Sequence, residues 1–264
     1  MLEVKHVSKT FNPGTVNEKK ALEDISLRLE DGDFVTVVGG NGAGKSTLLN
    51  MIAGVYPIDC GHIVLNGKDM STDPEFRRAR FIGRVFQDPL MGTAGDMAIY
   101  ENMAMANRRS KPRGLRWNVT AQEKEDFKKQ LSRLGLGLED RLTAKVGLLS
   151  GGQRQALTLL MASLQRPELL LLDEHTAALD PLTARKVLEL TEEIVQEEQL
   201  TTLMITHNMN DAIRIGNRLI MMYDGKIILD VRGEEKKKLT VDALHQKFRE
   251  AANEEFSDDR AVLI

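Results

Sequence analysis

The 264-residue chain is 42% hydrophobic and 28% charged, which suits one or two globular domains and excludes a disordered chain. Its 36 Lys and Arg against 39 Asp and Glu leave a net charge of −3, which argues against a protein built to wrap nucleic acid. A single cysteine, Cys60, excludes a disulfide framework. The first residues show no basic segment followed by an apolar one. No apolar run approaches the roughly 18 residues of a membrane span, so a cytosolic chain is expected.

Residues 2–10 alternate apolar and polar side chains, which predicts a strand. Residues 12–20 are polar around Pro13-Gly14 and read as a loop. Strands follow at 25–29 and 34–38, the second apolar and β-branched as a strand covered on both faces should be. Then comes Gly39-Gly40-Asn41-Gly42-Ala43-Gly44-Lys45-Ser46, which fits G-x-x-x-x-G-K-[ST], and a helix over 45–53. Strand, glycine loop and helix in that order are the context of a phosphate-binding loop. Its backbone N–H groups and the helix N-terminus bind the anion. Lys45 is expected to reach the β- and γ-phosphates, Ser46 Oγ to ligate Mg²⁺, and the Thr47 N–H to meet a neighbouring phosphate.

Strands are predicted at 62–66 and 80–86, and helical character from 98 to 148, where Phe127, Leu131 and Leu134 share one helix face. Leu149-Ser150-Gly151-Gly152-Gln153 opens a helix over 151–165. Ser150 can cap it, and the bare N–H groups of Gly151 and Gly152 make a second anion site. The apolar strand 169–173 ends in Asp173-Glu174. A buried acid needs a partner, so Asp173 is expected to hold Mg²⁺ through its water shell and Glu174 to act as general base. A helix over 181–196, a strand over 201–206 and a helix over 209–215 complete the alternation. Strands at 218–223 and 226–230 and a charged helical tail to about 252 close the chain. Such alternation implies a parallel sheet with helices on both faces and ligands at the strands' carboxyl ends.

The phosphate loop, the acid-tipped strand and above all the Ser150-Gly151-Gly152-Gln153 turn resemble ABC-type ATPases, from residue 2 to about 230. The resemblance implies an α/β P-loop NTPase fold: a RecA-like core with an antiparallel β-subdomain and an inserted α-helical subdomain. It assigns residues 2–231 to the ATPase domain, about 90–165 to the inserted subdomain and 232–264 to a C-terminal helical tail. It implies adenine stacking by Phe11, a Q-loop role in Mg²⁺ and water contact for Gln87, a D-loop at Ala178-Leu179-Asp180, and a switch histidine at His207. In this family two cassettes pair head to tail, so Ser150, Gly151 and Gly152 of one copy close over the ATP in the other copy's loop.

The implied cofactors are ATP and Mg²⁺. The implied partners are a second copy, transmembrane permease subunits and an extracytoplasmic solute-binding protein, with no nucleic acid. The chain would then work on the inner face of the membrane through its permease. Residues 89–107, with Met91, Met97, Met103 and Met105, are the expected permease-docking stretch, and those methionines read equally as helical core. The basic loop 108–117 could touch headgroups or the permease, or simply be solvated. The resemblance points to import of amino-acid-like solutes, with an exporter or lipoprotein-releasing ATPase and a non-transport nucleotide-dependent regulator as alternatives. Three departures stand out: His175 where Pro usually follows the acids, Ala156 where Arg is common, and Asn208 where Asp usually follows the switch histidine. His175 is read as structural.

Overall fold

The computed structural model describes residues 1–111 and 119–261. They form two compact units, one of Met1–Glu75 with Thr201–Ile264 and the other of Phe76–Leu200.

The first unit holds two sheets. Strands β1 (Leu2–Phe11), β2 (Lys19–Leu29), β4 (Cys60–Leu65) and β5 (Lys68–Asp69) form an antiparallel sheet in the order β2-β1-β4-β5. Strand β2 starts earlier than its hydrophobic pattern predicts. Lys19 and Lys20 pair with Phe11 and Thr10, so cross-strand register extends the ladder through polar residues. β5 has no sequence signal, because two polar residues carry no periodicity; pairing with Val64 and Leu65 makes it a strand.

The second sheet of this unit runs β10-β9-β3-β8, with β3 (Phe34–Gly39), β8 (Thr202–Ile205), β9 (Arg218–Tyr223) and β10 (Lys226–Arg232). β3 is parallel to both neighbours, Val35 pairing with Leu203 and Arg218. Five of its six residues are buried, as its continuous apolar run requires. Helix α1 (Lys45–Ala53) buries Leu48, Leu49, Met51 and Ile52, and α7 (Met209–Arg214) buries Ala212. The chain ends in α8 (Gly233–Lys237) and α9 (Val241–Ala261). Fully buried Leu244 ties α9 into a cluster with Val38, Ala212, Leu219 and Met221, a contribution of roughly 2 kcal/mol from burial alone. The tail helix is therefore part of this unit's core.

The short helix α2 (Glu75–Arg78) leads into the second unit. There β6 (Ile82–Val85) and β7 (Leu169–Asp173) pair in parallel, from Ile82 with Leu169 to Val85 with Leu172. β6 is shorter than predicted because that four-residue ladder is all that pairs. Around it stand α3 (Ile99–Asn107), α4 (Ala121–Ser132), α5 (Gly151–Ser163) and α6 (Pro181–Glu198). Phe127, Leu131 and Leu134 are buried, as their spacing requires. Among the described residues, no helix is long and apolar enough to cross a membrane.

Candidate functional site

In the first unit, β3 delivers the glycine loop to the N-terminus of α1. Gly44 is the N-cap, at φ +95°, and a Cβ there would lie 2.5 Å from the Ala21 carbonyl oxygen, so only glycine fits. α1 has no side-chain cap and no acid in its first turn. Its first N–H groups and the positive end of its dipole therefore suit an anion. Lys45 is buried and its Nζ donates to the carbonyls of Gly39 (2.8 Å) and Gly40 (2.9 Å), which holds the ammonium on the loop. Ser46 is exposed and Thr47 half-buried at the helix start; Asn41 and Gly42 are exposed and Ala43 is buried. Lys19 adds a second ammonium 3.4 Å from where a Cβ on Gly42 would lie, a placement that a polar loop reading could not suggest.

Phe11 is half-buried at the end of β1, edge-to-face with Tyr56 at 5.3 Å and with the Lys9 ammonium 5.7 Å from its ring. His207 is exposed just beyond β8. The turn around it is held by Thr206, whose hydroxyl accepts from the Asn208 N–H, and by Asn208, whose carboxamide oxygen caps α7 through the N–H groups of Asn210 and Asp211. Asn caps a helix as well as Asp does, which accounts for one departure from the family pattern.

In the second unit, the register of β6 and β7 sets Gln87 and Asp173-Glu174 beyond the same carboxyl edge. Gln87 is exposed, while Asp173 and Glu174 are half-buried. The Arg84 guanidinium lies 3.5 Å from the Asp173 carboxylate and stacks 4.5 Å from the Phe86 ring, so the acid has a cationic partner that the strand pattern alone did not reveal. Glu174 sits at φ +45°, a strained position for a residue with a side chain and the kind of outlier found at working sites.

Ser150 caps α5: its Oγ accepts from the Gln153 N–H, and Gln153 Oε1 accepts from the Ser150 N–H, a reciprocal capping box. Arg154 donates to the carbonyls of Val146, Gly147 and Leu149 and so clamps the segment leading into the turn. A Cβ on Gly152 would lie 2.0 Å from Thr183 Cγ2, so the turn lies directly against the start of α6. Asp180 caps that helix, its carboxylate accepting from the Thr183 N–H at 3.1 Å, and these Thr183 hydrogen bonds lower its pKa. Thr183 thus joins the Ser150 turn to Asp180. Gln155, fully buried, donates through Nε2 to the Phe86 carbonyl at 3.1 Å and links α5 to the Gln87 loop. Nothing in the sequence marks a helix-interior glutamine as a tether.

The family model for "ABC transporter" matches residues 22–177, more than half of the chain. The chain belongs to the ABC transporter family. The chain is 44% identical over 252 residues to the tyrosine transport ATP-binding protein of Clostridioides difficile, covering 95% of this chain and 100% of that one. It is 35% identical to methionine import ATP-binding protein MetN 2 of Enterococcus faecalis, over 86% of this chain and 64% of the relative. Among solved structures it resembles the dimeric post-hydrolysis state of the ATP-binding cassette MJ0796 bound to ADP and Pi. The TM-score is 0.75 at 27% identity, covering 88% of this chain and 98% of that one. The fold is that of an ABC ATPase cassette, and the chain is an ATP-binding subunit.

Two other expectations divide. In the cassette's second unit, a groove of about 490 Å³ is lined by Arg84, Phe86, Met91, Met105 and Arg109 among others. Met91 and Met105 are exposed there, Met97 is half-buried, and Met103 is fully buried core. Of the basic stretch, residues 112–117 lie outside the described residues. Within the described part, Arg108 pairs with Glu123 at 3.3 Å and Arg109 donates to the Ala162 carbonyl.

His175 is fully buried, and its Nε2 lies 3.0 Å from Thr191 Oγ1. The Thr191 hydroxyl proton is already given to the Val187 carbonyl, so the imidazole is the donor and its Nε2 carries the proton. Burial lowers its pKa from 6.5 to about 4. The unfolded chain takes a proton near pH 6.5 that the folded cassette refuses until pH 4. Stability is therefore full above pH 6.5 and lost as pH falls, by about 3 kcal/mol at the acid limit. Thermal unfolding of the metal-free cassette between pH 7 and 4 tests this: the His175→Gln variant should lose less stability over that range, and equal losses would refute it.

Proposed function

We propose that this cassette is the ATP-hydrolysing subunit of an import system for an amino-acid-like solute, working as a head-to-tail dimer on the inner face of the membrane beneath separate permease subunits. The observation that carries the solute class is the 44% identity, over the full length of the relative, to a tyrosine transport ATP-binding protein. Residues 90–165 act as the inserted helical subdomain, and an extracytoplasmic binding protein presents the solute.

Phe11 stacks on adenine. Gly39 to Thr47 wrap the phosphates, with Lys45 on the β- and γ-oxygens. Glu174 takes the proton of the attacking water, Gln87 orients that water, and His207 contacts the γ-phosphate. The proposed Mg²⁺ donors are Ser46 Oγ and the Gln87 carboxamide oxygen, with Asp173 acting through the metal's water shell, an all-oxygen set of the kind this hard cation prefers. The metal, when bound, neutralises charge on the β- and γ-phosphates. Ser150, Gly151, Gly152 and Gln153 of the second copy supply the opposing helix N-terminus, and Asp180 holds the α6 turn beside it. The γ-phosphate bridges two positive helix ends, and its loss lets the copies part.

The groove around Met91 and Met105 is the proposed permease seat. The segment that follows its lining residues 91–94 connects to the turn: the Val146 N–H donates to the Met97 carbonyl, the Gly147 N–H to the Gly95 carbonyl, and Arg154 clamps 146–149. Reconstitution with its permease and binding protein in liposomes loaded with ATP tests the reading. Labelled tyrosine or methionine should accumulate on the binding-protein side's opposite face, in an ATP-dependent manner. Movement in the reverse direction, or ATP turnover with no solute flux, would overturn it.

A further inference from the structure

The tail helix α9 does more than fill the core. Leu244 shares a buried cluster with Val38, the residue that precedes the phosphate loop in β3. One turn later Phe248 sets its ring edge-to-face on Tyr223, with centroids 5.2 Å apart at 89°. The same ring lies over the loop: a Cβ built on Gly40 would be 3.1 Å from Phe248 Cζ and 3.4 Å from Cε2. Gly40 is not among the glycines with positive φ, so its backbone conformation does not itself require glycine. The space above it is occupied by the ring instead.

We infer that Phe248 is a positioning residue for nucleotide binding, a brace from the tail helix that fixes the Gly40 backbone of the phosphate loop. The Gly40 carbonyl accepts from the Lys45 ammonium, and Met222, beside Tyr223, pairs with Gly39. The ring thus meets Gly40 directly and, through Tyr223, the strand that pairs with Gly39. A loop held in its binding conformation before the ligand arrives pays less ordering entropy on binding. Displacing the brace should weaken nucleotide affinity while leaving the groups that contact the phosphates in place.

This inference rests on residues 39–46 being the nucleotide's phosphate loop, and the test separates the two. The full chain is titrated with a fluorescent ATP analogue, with ADP measured by competition and thermal unfolding of the nucleotide-free protein followed in parallel. Phe248→Ala should raise both dissociation constants about three- to tenfold, and Phe248→Leu should recover most of that loss. Gly40→Ala should also weaken binding, because the new methyl meets the ring. In Gly40→Ala/Phe248→Ala the methyl enters the vacated space, so the double variant should bind more tightly than Gly40→Ala alone.

If Gly40→Ala costs the same with and without the ring, or if Phe248→Ala lowers the unfolding temperature without changing affinity, the brace is refuted. Lys45→Ala is the control. If it abolishes binding while the coupling is absent, only the brace fails. If it leaves binding unchanged, the phosphate-loop reading fails and the brace with it.

Discussion

Glu174→Gln is expected to bind ATP as the native cassette does, to hydrolyse it ~10²–10⁴-fold more slowly, and to accumulate as an ATP-bound dimer. The substitution keeps the side chain's size and one of its acceptor oxygens, so the half-buried position and the left-handed backbone at residue 174 meet no new steric demand. What it removes is the oxygen proposed to take the water's proton. Asp173 cannot take over, because its carboxylate already faces Arg84 and is assigned to the metal. With the γ-phosphate retained, the bridge between opposing helix ends persists, and dimers should elute with stoichiometric ATP from a sizing column. Phosphate release measured under single-turnover conditions is the direct check; a rate near that of the unsubstituted cassette would remove Glu174 from the mechanism.

Local structure is legible in the sequence wherever a residue type is tied to a backbone geometry. The glycine loop, the capped turn at Ser150 and the acid-tipped strand each need particular residues at fixed spacing, and each stands where the spacing put it. The helix 45–53, the strand 169–173 and the strand 218–223 match their predicted bounds, because periodicity and a flanking glycine, acid or turn agree there.

What stayed hidden depends on packing between residues far apart in the chain. Arg84 reads as one strand residue among several until β6 and β7 pair and bring it to Asp173. Gln155 reads as helix interior until its amide reaches Phe86. Thr183 carries no signal at all, yet it caps with Asp180 and fills the space that a Gly152 side chain would need. The methionines show the limit from the other side: periodicity could not divide Met91 and Met105, which line the groove, from Met103, which is core.

The head-to-tail arrangement is tested most sharply at Ser150. Ser150→Arg removes a cap that contributes about 1 kcal/mol and puts a bulky cation on the helix end proposed to receive the partner's γ-phosphate. Binding of ATP by the isolated copy should be unchanged, because the phosphate loop lies on other residues, while ATP-dependent dimerisation in the Glu174→Gln background should disappear. Ser150→Ala, which loses the cap without adding bulk, should dimerise, and so separates a loss of helix capping from a blocked interface. Complementation decides the geometry. Ser150→Arg keeps Lys45, and Lys45→Ala keeps Ser150, so neither protein alone can build an intact site from two identical copies. A mixed dimer builds one, with the loop of the first and the turn of the second. Mixing the two should therefore restore ATP hydrolysis, up to about half the native rate per mixed dimer if the two sites act independently. A site made within one copy predicts no restoration at any mixing ratio, because each copy then carries its own defect.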